Sequence, residues 1–437
     1  MNRNLIPRTL NKFTVRSFSD MVKLRVSPLK CLHDEPIQIV AENLPPHSDV
    51  TLLSLTKDPK QRTFITNTHY KSDKDGIVDL SKHPSLGGTF KGLFPMGPIA
   101  NLRSAPDVPK YTRYFKKDVT TPMTVNFKLL KGHLNEELAV NPDKQFILDS
   151  VTHERIYMAE NTTRVPIKEG RVRGALFIPK GEGPFPGVLD LFGNTGGLIE
   201  HRSAQLAAHG FVSFAVAYLG YDDLPKELDV LDLSYFEDAL NILLNQPMVK
   251  KSGVGAVGVS KGADIVCSIG TYLPKVKAVV CINGLPVNTW SPMRYKDIVV
   301  PGLPVHFDRF KPIGPNLMSA IEILDDSEDF PETYIPLHKS EAEFLFICGL
   351  DDQTWNTVVE TERAVKRANE NGKKNCEVVK YKGAGHLIEP AYAPFTPASF
   401  HLCAKSPAAW GGEPFFHSEA QVDSWKRILK FLKRTLA

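Results

Sequence analysis

Three features of this chain could together perform nucleophilic catalysis: a serine between glycines, a pair of aspartates, and a histidine in a glycine-rich turn. The serine is Ser260, in Gly258-Val259-Ser260-Lys261-Gly262. Such a G-x-S-x-G pattern arises by chance in about one chain in seven of this length, so its surroundings decide. Upstream, "GVGAVGV" has the pattern of a buried strand; downstream, "KGADIVCSIGTYL" has that of a helix. A nucleophile elbow needs this strand–serine–helix placement. Its turn is so tight that side chains two residues either side of the serine would collide with strand and helix, and Gly258 and Gly262 remove them. The serine then stands at a helix N-terminus, where free N–H groups favour developing negative charge. The Lys261 N–H is the expected first oxyanion donor. The alternative is a catalytically silent fold in which Ser260 only caps the helix.

A serine alcohol is a weak nucleophile without a base. In this architecture the acid and the histidine follow the serine in that order, each past a later strand. "EFLFICGLDDQTW" places Asp351 and Asp352 just beyond one strand, and "EVVKYKGAGHLIEP" places His386 in the turn beyond the next. The loop "LFGNTGGLIE" (191–200) offers a second oxyanion donor, its glycines admitting a close backbone approach, or is a plain glycine turn. No metal-ligand spacing is visible, and a serine mechanism calls for no metal or cofactor.

Two regions must position these groups. Residues 22–150 hold short β-rich runs such as "LRVSPL", "PIQIVAENL", "VTLLSLT" and "MTVNFKLL", separated by Pro, Asn, Asp and Gly. Their spacing predicts an antiparallel β-sandwich without an acid–base constellation of its own. In residues 160–437 strand-like and helical runs alternate, which predicts an α/β domain with a parallel sheet covered on both faces. A long helix is expected over 353–371 and a closing helix over 418–436. Residues 285–340 lie between two core strands, with eight prolines and helical periodicity only in "LMSAIEIL". Such an excursion is either a lid or pocket wall, or a flap remote from the chemistry.

Composition bounds the rest. The 437 residues are 42% apolar and 23% charged, and the net charge of +4 suits an anionic substrate without pointing to nucleic acid. Six cysteines form no C-x-x-C, and Cys267, Cys281 and Cys348 sit in apolar runs, as reduced core residues do. No apolar run approaches the length of a membrane span. Residues 1–20 read as a mitochondrial presequence: Arg3, Arg8, Lys12 and Arg16 occur with no acid before Asp20, and "RSFS" resembles a matrix-protease cleavage pattern. The expected compartment is therefore the mitochondrial matrix, or the cytosol if translation starts at Met21; the terminal "TLA" is not a peroxisomal signal.

From about residue 24 onward the chain resembles the acyl-CoA thioesterase / bile acid-CoA:amino acid N-acyltransferase family. The motifs that carry the resemblance are "LFGNTGGLIEHR", "AYLGYDDLPK", "GVSKG", "FLFICGLDDQTW", "GAGHLIEPAY" and "WGGEP", with "GRVRGALFIP" and "LFPMGP" extending it. The resemblance implies a β-sandwich followed by an α/β-hydrolase domain acting on fatty acyl-CoA. It makes Ser260 the nucleophile, His386 the base and Asp352 the triad acid, with Asp351 as fallback. The CoA phosphates it implies need Lys or Arg, and the Lys261 side chain either reaches them or is a solvated surface lysine. The family's glycine run is interrupted here by Thr195, which leaves the second oxyanion donor open between Asn194 and Thr195. The family's amino-acid transferases carry cysteine at the elbow and its thioesterases mostly serine. A serine oxyester is far less reactive toward amines than a thioester, so Ser260 points to hydrolysis. Three rival readings are an acyltransferase to glycine or taurine, an esterase or peptidase with the same triad, and a non-catalytic acyl-CoA-binding protein.

Overall fold

A computed structural model describes residues 22–437. The presequence expected over 1–20, and Met21, lie outside the described residues.

The first strands alternate buried and exposed residues, as Lys23–Ser27 does, so each offers one apolar face. Three strands pair in one sheet (Lys23–Ser27, Gln38–Glu42, Val78–Asp79). Seven pair in a second, built around Asp49–Lys57, Thr63–Lys71, Met123–Lys131 and Ile147–Ile156. Leu24, Val26 and Ile39 of the first sheet meet Leu52, Phe64, Val125 and Phe127 of the second in one apolar core, which makes a β-sandwich. The same core takes in Ala204 and Ala207 of a helix, and Ala175, Phe177 and Ala215 of the following sheet, so the sandwich is packed onto what comes after it.

That next sheet has eight strands: β1 (Thr162–Glu169), β2 (Val172–Pro179), β3 (Phe185–Leu191), β4 (Val212–Ala217), β5 (Val249–Val259), β6 (Val276–Ile282), β7 (Glu343–Gly349) and β8 (Cys376–Tyr381). Their spatial order is β1-β2-β4-β3-β5-β6-β7-β8. β2 runs antiparallel to both its neighbours; from β4 to β8 every pairing is parallel. The connecting helices are α1 (His201–Ala208), α2 (Leu233–Asn245), α3 (Lys261–Tyr272), α4 (Thr357–Glu370) and α5 (Pro414–Thr435). This strand order, with β2 antiparallel in an otherwise parallel run, defines an α/β-hydrolase fold. Its ligands bind beyond the carboxyl ends of the parallel strands. β5, β7 and β8 end just before Ser260, the Asp351–Asp352 pair and the His386 turn.

Three expectations need correction. α4 begins at Thr357 rather than 353, because the Asp352 carboxylate accepts the backbone N–H groups of Thr354 and Trp355 and holds them in a turn. α5 begins at Pro414, earlier than 418; proline fits the first turn of a helix, where its missing N–H would have no partner. "LMSAIEIL" is not helical: Leu317–Ser319 is a strand paired with Ser406–Ala409 and Lys311–Gly314. Among the described residues no helix is long and apolar enough to cross a membrane.

Candidate active site

Ser260 sits between β5 and α3 at φ 56° and ψ −131°, a backbone conformation that ordinarily costs about 1–3 kcal/mol. The surroundings hold it there. Its N–H donates to the Ile282 carbonyl at the end of β6 (3.0 Å), and its own carbonyl accepts from Ala263 N–H (2.8 Å). A Cβ on Gly258 would lie 2.2 Å from the Gly262 carbonyl oxygen, and one on Gly262 would lie 2.4 Å from that of Phe192. The elbow therefore packs directly against the loop that follows β3, and only glycine fits at either place. Gly193 of that loop comes close enough that a Cβ there would be 3.1 Å from Ser260 Cβ.

His386 and Asp352 are brought together. His386 Nδ1 lies 2.8 Å from Asp352 Oδ2, and both side chains are almost wholly buried. The carboxylate also accepts from Thr354 N–H (2.8 Å) and Trp355 N–H (3.1 Å) on Oδ1. An ionised carboxylate only accepts, so the proton between them sits on Nδ1; in the neutral ring that tautomer leaves the lone pair on Nε2, as a general base requires. Nε2 makes no hydrogen bond within the protein, and the direct bond to Ser260 Oγ is not formed. Such catalytic hydrogen bonds commonly tighten only once substrate is bound. Asp351 faces elsewhere: it accepts from Gly412 N–H (2.7 Å) and from the Gln353 amide (3.2 Å).

Sequence reasoning missed the groups that fix the histidine. The imidazole stacks on Trp410 (centroids 5.6 Å apart, 16°) and meets Trp355 nearly edge-on (5.6 Å, 74°). Asn283, buried just past β6, donates its amide to the carbonyls of Gly385 (2.9 Å) and His386 (2.8 Å) and accepts from Gly349 N–H (2.7 Å). Trp410 lies in "WGGEP", one of the motifs of the family resemblance, but its stacking role has no signal in sequence spacing.

The Lys261 side chain is neither a surface group nor free to reach a substrate phosphate. It is buried, and Nζ donates to the Thr289 carbonyl (2.6 Å) and hydroxyl (3.1 Å) and to Asp264 Oδ2 (3.3 Å). Asp264 also accepts from the Thr289 hydroxyl and from Leu285 N–H (3.1 Å), so the pair fastens the start of the 285–340 excursion to the first turn of α3. Burial pushes the Lys261 ammonium down and the Asp264 carboxyl up to about 6. Lys261→Met leaves the backbone N–H in place but strands a buried charge, and a loss of ~3–5 kcal/mol at pH 8 is expected in urea unfolding. The loss shrinks toward pH 5. There Asp264 takes up a proton in the variant and so loses its unpaired charge, while the same protonation weakens the wild-type pair.

Ser260 and His386 line one cavity of about 690 Å³, within the range of about 300–1,000 Å³ usual for small-molecule sites. Asn194 and Thr195 line it too, as does Lys261. Trp290, Phe307 and Leu324 of the excursion form one apolar wall, so this segment faces the chemistry rather than standing apart from it. The hairpin Ala398–His401/Ser406–Ala409 adds Phe400 and Leu402, 62% and 71% exposed at the rim. The first half of the chain also reaches the cavity, through Arg113.

An elbow serine, a buried Asp–His pair and an apolar cavity on an eight-stranded sheet define an α/β-hydrolase of the serine type. Comparison with known proteins specifies the family. Residues 34–169 match the model of the acyl-CoA thioester hydrolase/BAAT N-terminal region, and residues 231–437 that of the BAAT / acyl-CoA thioester hydrolase C terminal. Mouse acyl-coenzyme A thioesterase 5 is 42% identical over 406 residues, covering 92% of this chain and 94% of its own. Human acyl-coenzyme A thioesterase 1 is 39% identical over 409 residues (93% and 95%), and a mouse peroxisomal succinyl-coenzyme A thioesterase 39% over 405 (92% and 94%). Among solved structures, an esterase from Pyrococcus furiosus aligns over 63% of this chain and 93% of its own at 16% identity, with a TM-score of 0.39. The chain belongs to the BAAT / acyl-CoA thioester hydrolase family.

Proposed function

We propose that the protein hydrolyses fatty acyl-CoA to free fatty acid and CoA through a Ser260 acyl-enzyme. The observation that carries this reading is the buried His386–Asp352 pair opening on the same apolar cavity as the elbow serine. His386 Nε2 takes the Ser260 hydroxyl proton as Oγ attacks the thioester carbonyl. Asp352 holds the imidazole in the required tautomer and stabilises its positive charge. The tetrahedral oxyanion is held by the Lys261 N–H and by a backbone N–H of Asn194 or Thr195. The C–S bond breaks, CoA leaves as the thiol with the proton from His386, and the acyl group remains on Oγ. His386 then deprotonates a water, which attacks the oxyester; the carboxylic acid departs and Ser260 recovers its proton.

Serine decides between hydrolysis and transfer. An alkyl oxyester is sluggish toward free amines at neutral pH, whereas an activated water held by His386 attacks it directly. The relatives reported above are named as thioesterases, and the apolar wall of Trp290, Phe307 and Leu324 suits an acyl chain. The chain division that goes with this reading is a sandwich over 22–150 and a catalytic domain over 160–437. Its proposed place is the mitochondrial matrix, on the basic, acid-free run of residues 1–19; one relative, 39% identical, is human acyl-coenzyme A thioesterase 2, mitochondrial.

Incubation with palmitoyl-CoA tests the activity. Equal amounts of free CoA and palmitate are expected, and adding glycine or taurine leaves both unchanged. N-palmitoyl glycine or taurine as the main product would overturn the hydrolytic reading.

A further inference from the structure

The structure assigns to Arg113 a positioning role: this residue of the N-terminal sandwich sets the His386 loop and the glycine loop through a single buried carboxylate, Glu389. The inference rests on the reading of Ser260, His386 and Asp352 as the catalytic unit. Arg113 lies in the long run between strands Arg103–Ser104 and Met123–Lys131. Its guanidinium donates to Glu389 Oε1 at 2.7 Å, and His201 Nε2 lies 3.0 Å from the same oxygen. The three side chains are 15%, 13% and 10% exposed. Burial alone would push the Glu389 carboxyl upward, but Arg113 and His201 together hold it far below the usual carboxylate range, so it stays charged.

Each partner sits on a different part of the site. Glu389 is three residues beyond His386 on the same loop. His201 is the first residue of α1, the helix entered from the glycine loop that carries Asn194 and Thr195. Arg113 also lies over the Phe192 ring (5.5 Å), whose residue precedes Gly193 and whose carbonyl abuts the elbow at Gly262. Phe192 and His201 meet edge to face at 6.0 Å. One carboxylate therefore joins the base loop, the oxyanion loop and the sandwich at the edge of the reaction cavity, which Arg113 itself lines. An ion pair in this low-dielectric setting is directional as well as strong, and a histidine displaced by about 1 Å can cost about 100-fold in rate. The sandwich is on this account part of the catalytic apparatus rather than an appendage.

The test compares wild type with Arg113→Gln, Arg113→Lys and the double variant Arg113→Gln/Glu389→Gln, the last of which removes both buried charges and so avoids stranding one. Two rates are read beside the melting temperature: covalent labelling of Ser260 by a fluorophosphonate, which needs no acyl-CoA, and palmitoyl-CoA turnover. The double variant is expected to melt within a few degrees of wild type yet label about 10- to 100-fold more slowly. Its kcat should fall in parallel with KM changed less than threefold, and Arg113→Lys should recover part of the rate. Labelling and kcat at wild-type level in a folded double variant would overturn the proposal, as would a loss confined to KM. Absence of labelling in the wild type would instead overturn the catalytic reading on which it rests.

Discussion

Ser260→Ala is expected to lower kcat for palmitoyl-CoA by roughly 10⁴-fold or more, read as release of CoA thiol. The size follows from the chemistry. Without Oγ there is no acyl-enzyme, and what remains is direct attack by a water that the elbow does not position. The exchange removes one half-buried hydroxyl that lines the cavity and leaves the N–H bond to Ile282 and the glycine contacts intact, so the fold and melting temperature should hold. Substrate binding in the apolar cavity should also persist, which makes the variant suitable for measuring acyl-CoA affinity without turnover. Activity within tenfold of wild type in a well-folded Ser260→Ala protein would remove Ser260 from the mechanism.

The second large effect is expected at Asp352. Asp352→Asn is almost isosteric, and its amide oxygen can still accept from Thr354 and Trp355 N–H. The amide nitrogen then faces His386 Nδ1. Two donors cannot share that contact, so the imidazole moves its proton to Nε2 and loses the lone pair that Ser260 needs. The same exchange in serine proteases lowers kcat about 10⁴-fold with geometry intact, and a fall of that order is expected here. Asp351→Asn is the control: Asp351 serves Gly412 N–H and Gln353, not His386, and turnover should change less than tenfold. Equal losses in the two variants would mean that the carboxylate facing His386 has no special part.

Much of this was legible in the sequence because its reasons are local. The elbow is written in five residues, since Gly258 and Gly262 are each forced by a carbonyl oxygen that a Cβ would overlap. The parallel sheet past Ser260 could be read because strand-like apolar runs alternate with helical ones. Proximity across the fold could not be read. Neither the choice of Asp352 over Asp351 nor the stacking of His386 on Trp410 is fixed by spacing; both depend on how the loops after β7 and β8 fold against "WGGEP". Lys261 misled for a related reason. A lysine at the start of a helix normally reaches solvent, but here the 285–340 excursion covers it, and Thr289 and Asp264 satisfy its ammonium. Arg113 was invisible because its partner, Glu389, is 276 residues away.

The central claim is that an acyl group passes through Ser260. Its most direct test is mass spectrometry of the wild-type protein, acid-quenched at short intervals after mixing with excess palmitoyl-CoA. The prediction is an adduct of one palmitoyl group, lost on Ser260→Ala replacement and mapped to the peptide that contains "GVSKG". Continued hydrolysis with no adduct, or an adduct on another residue that survives Ser260→Ala, would contradict it.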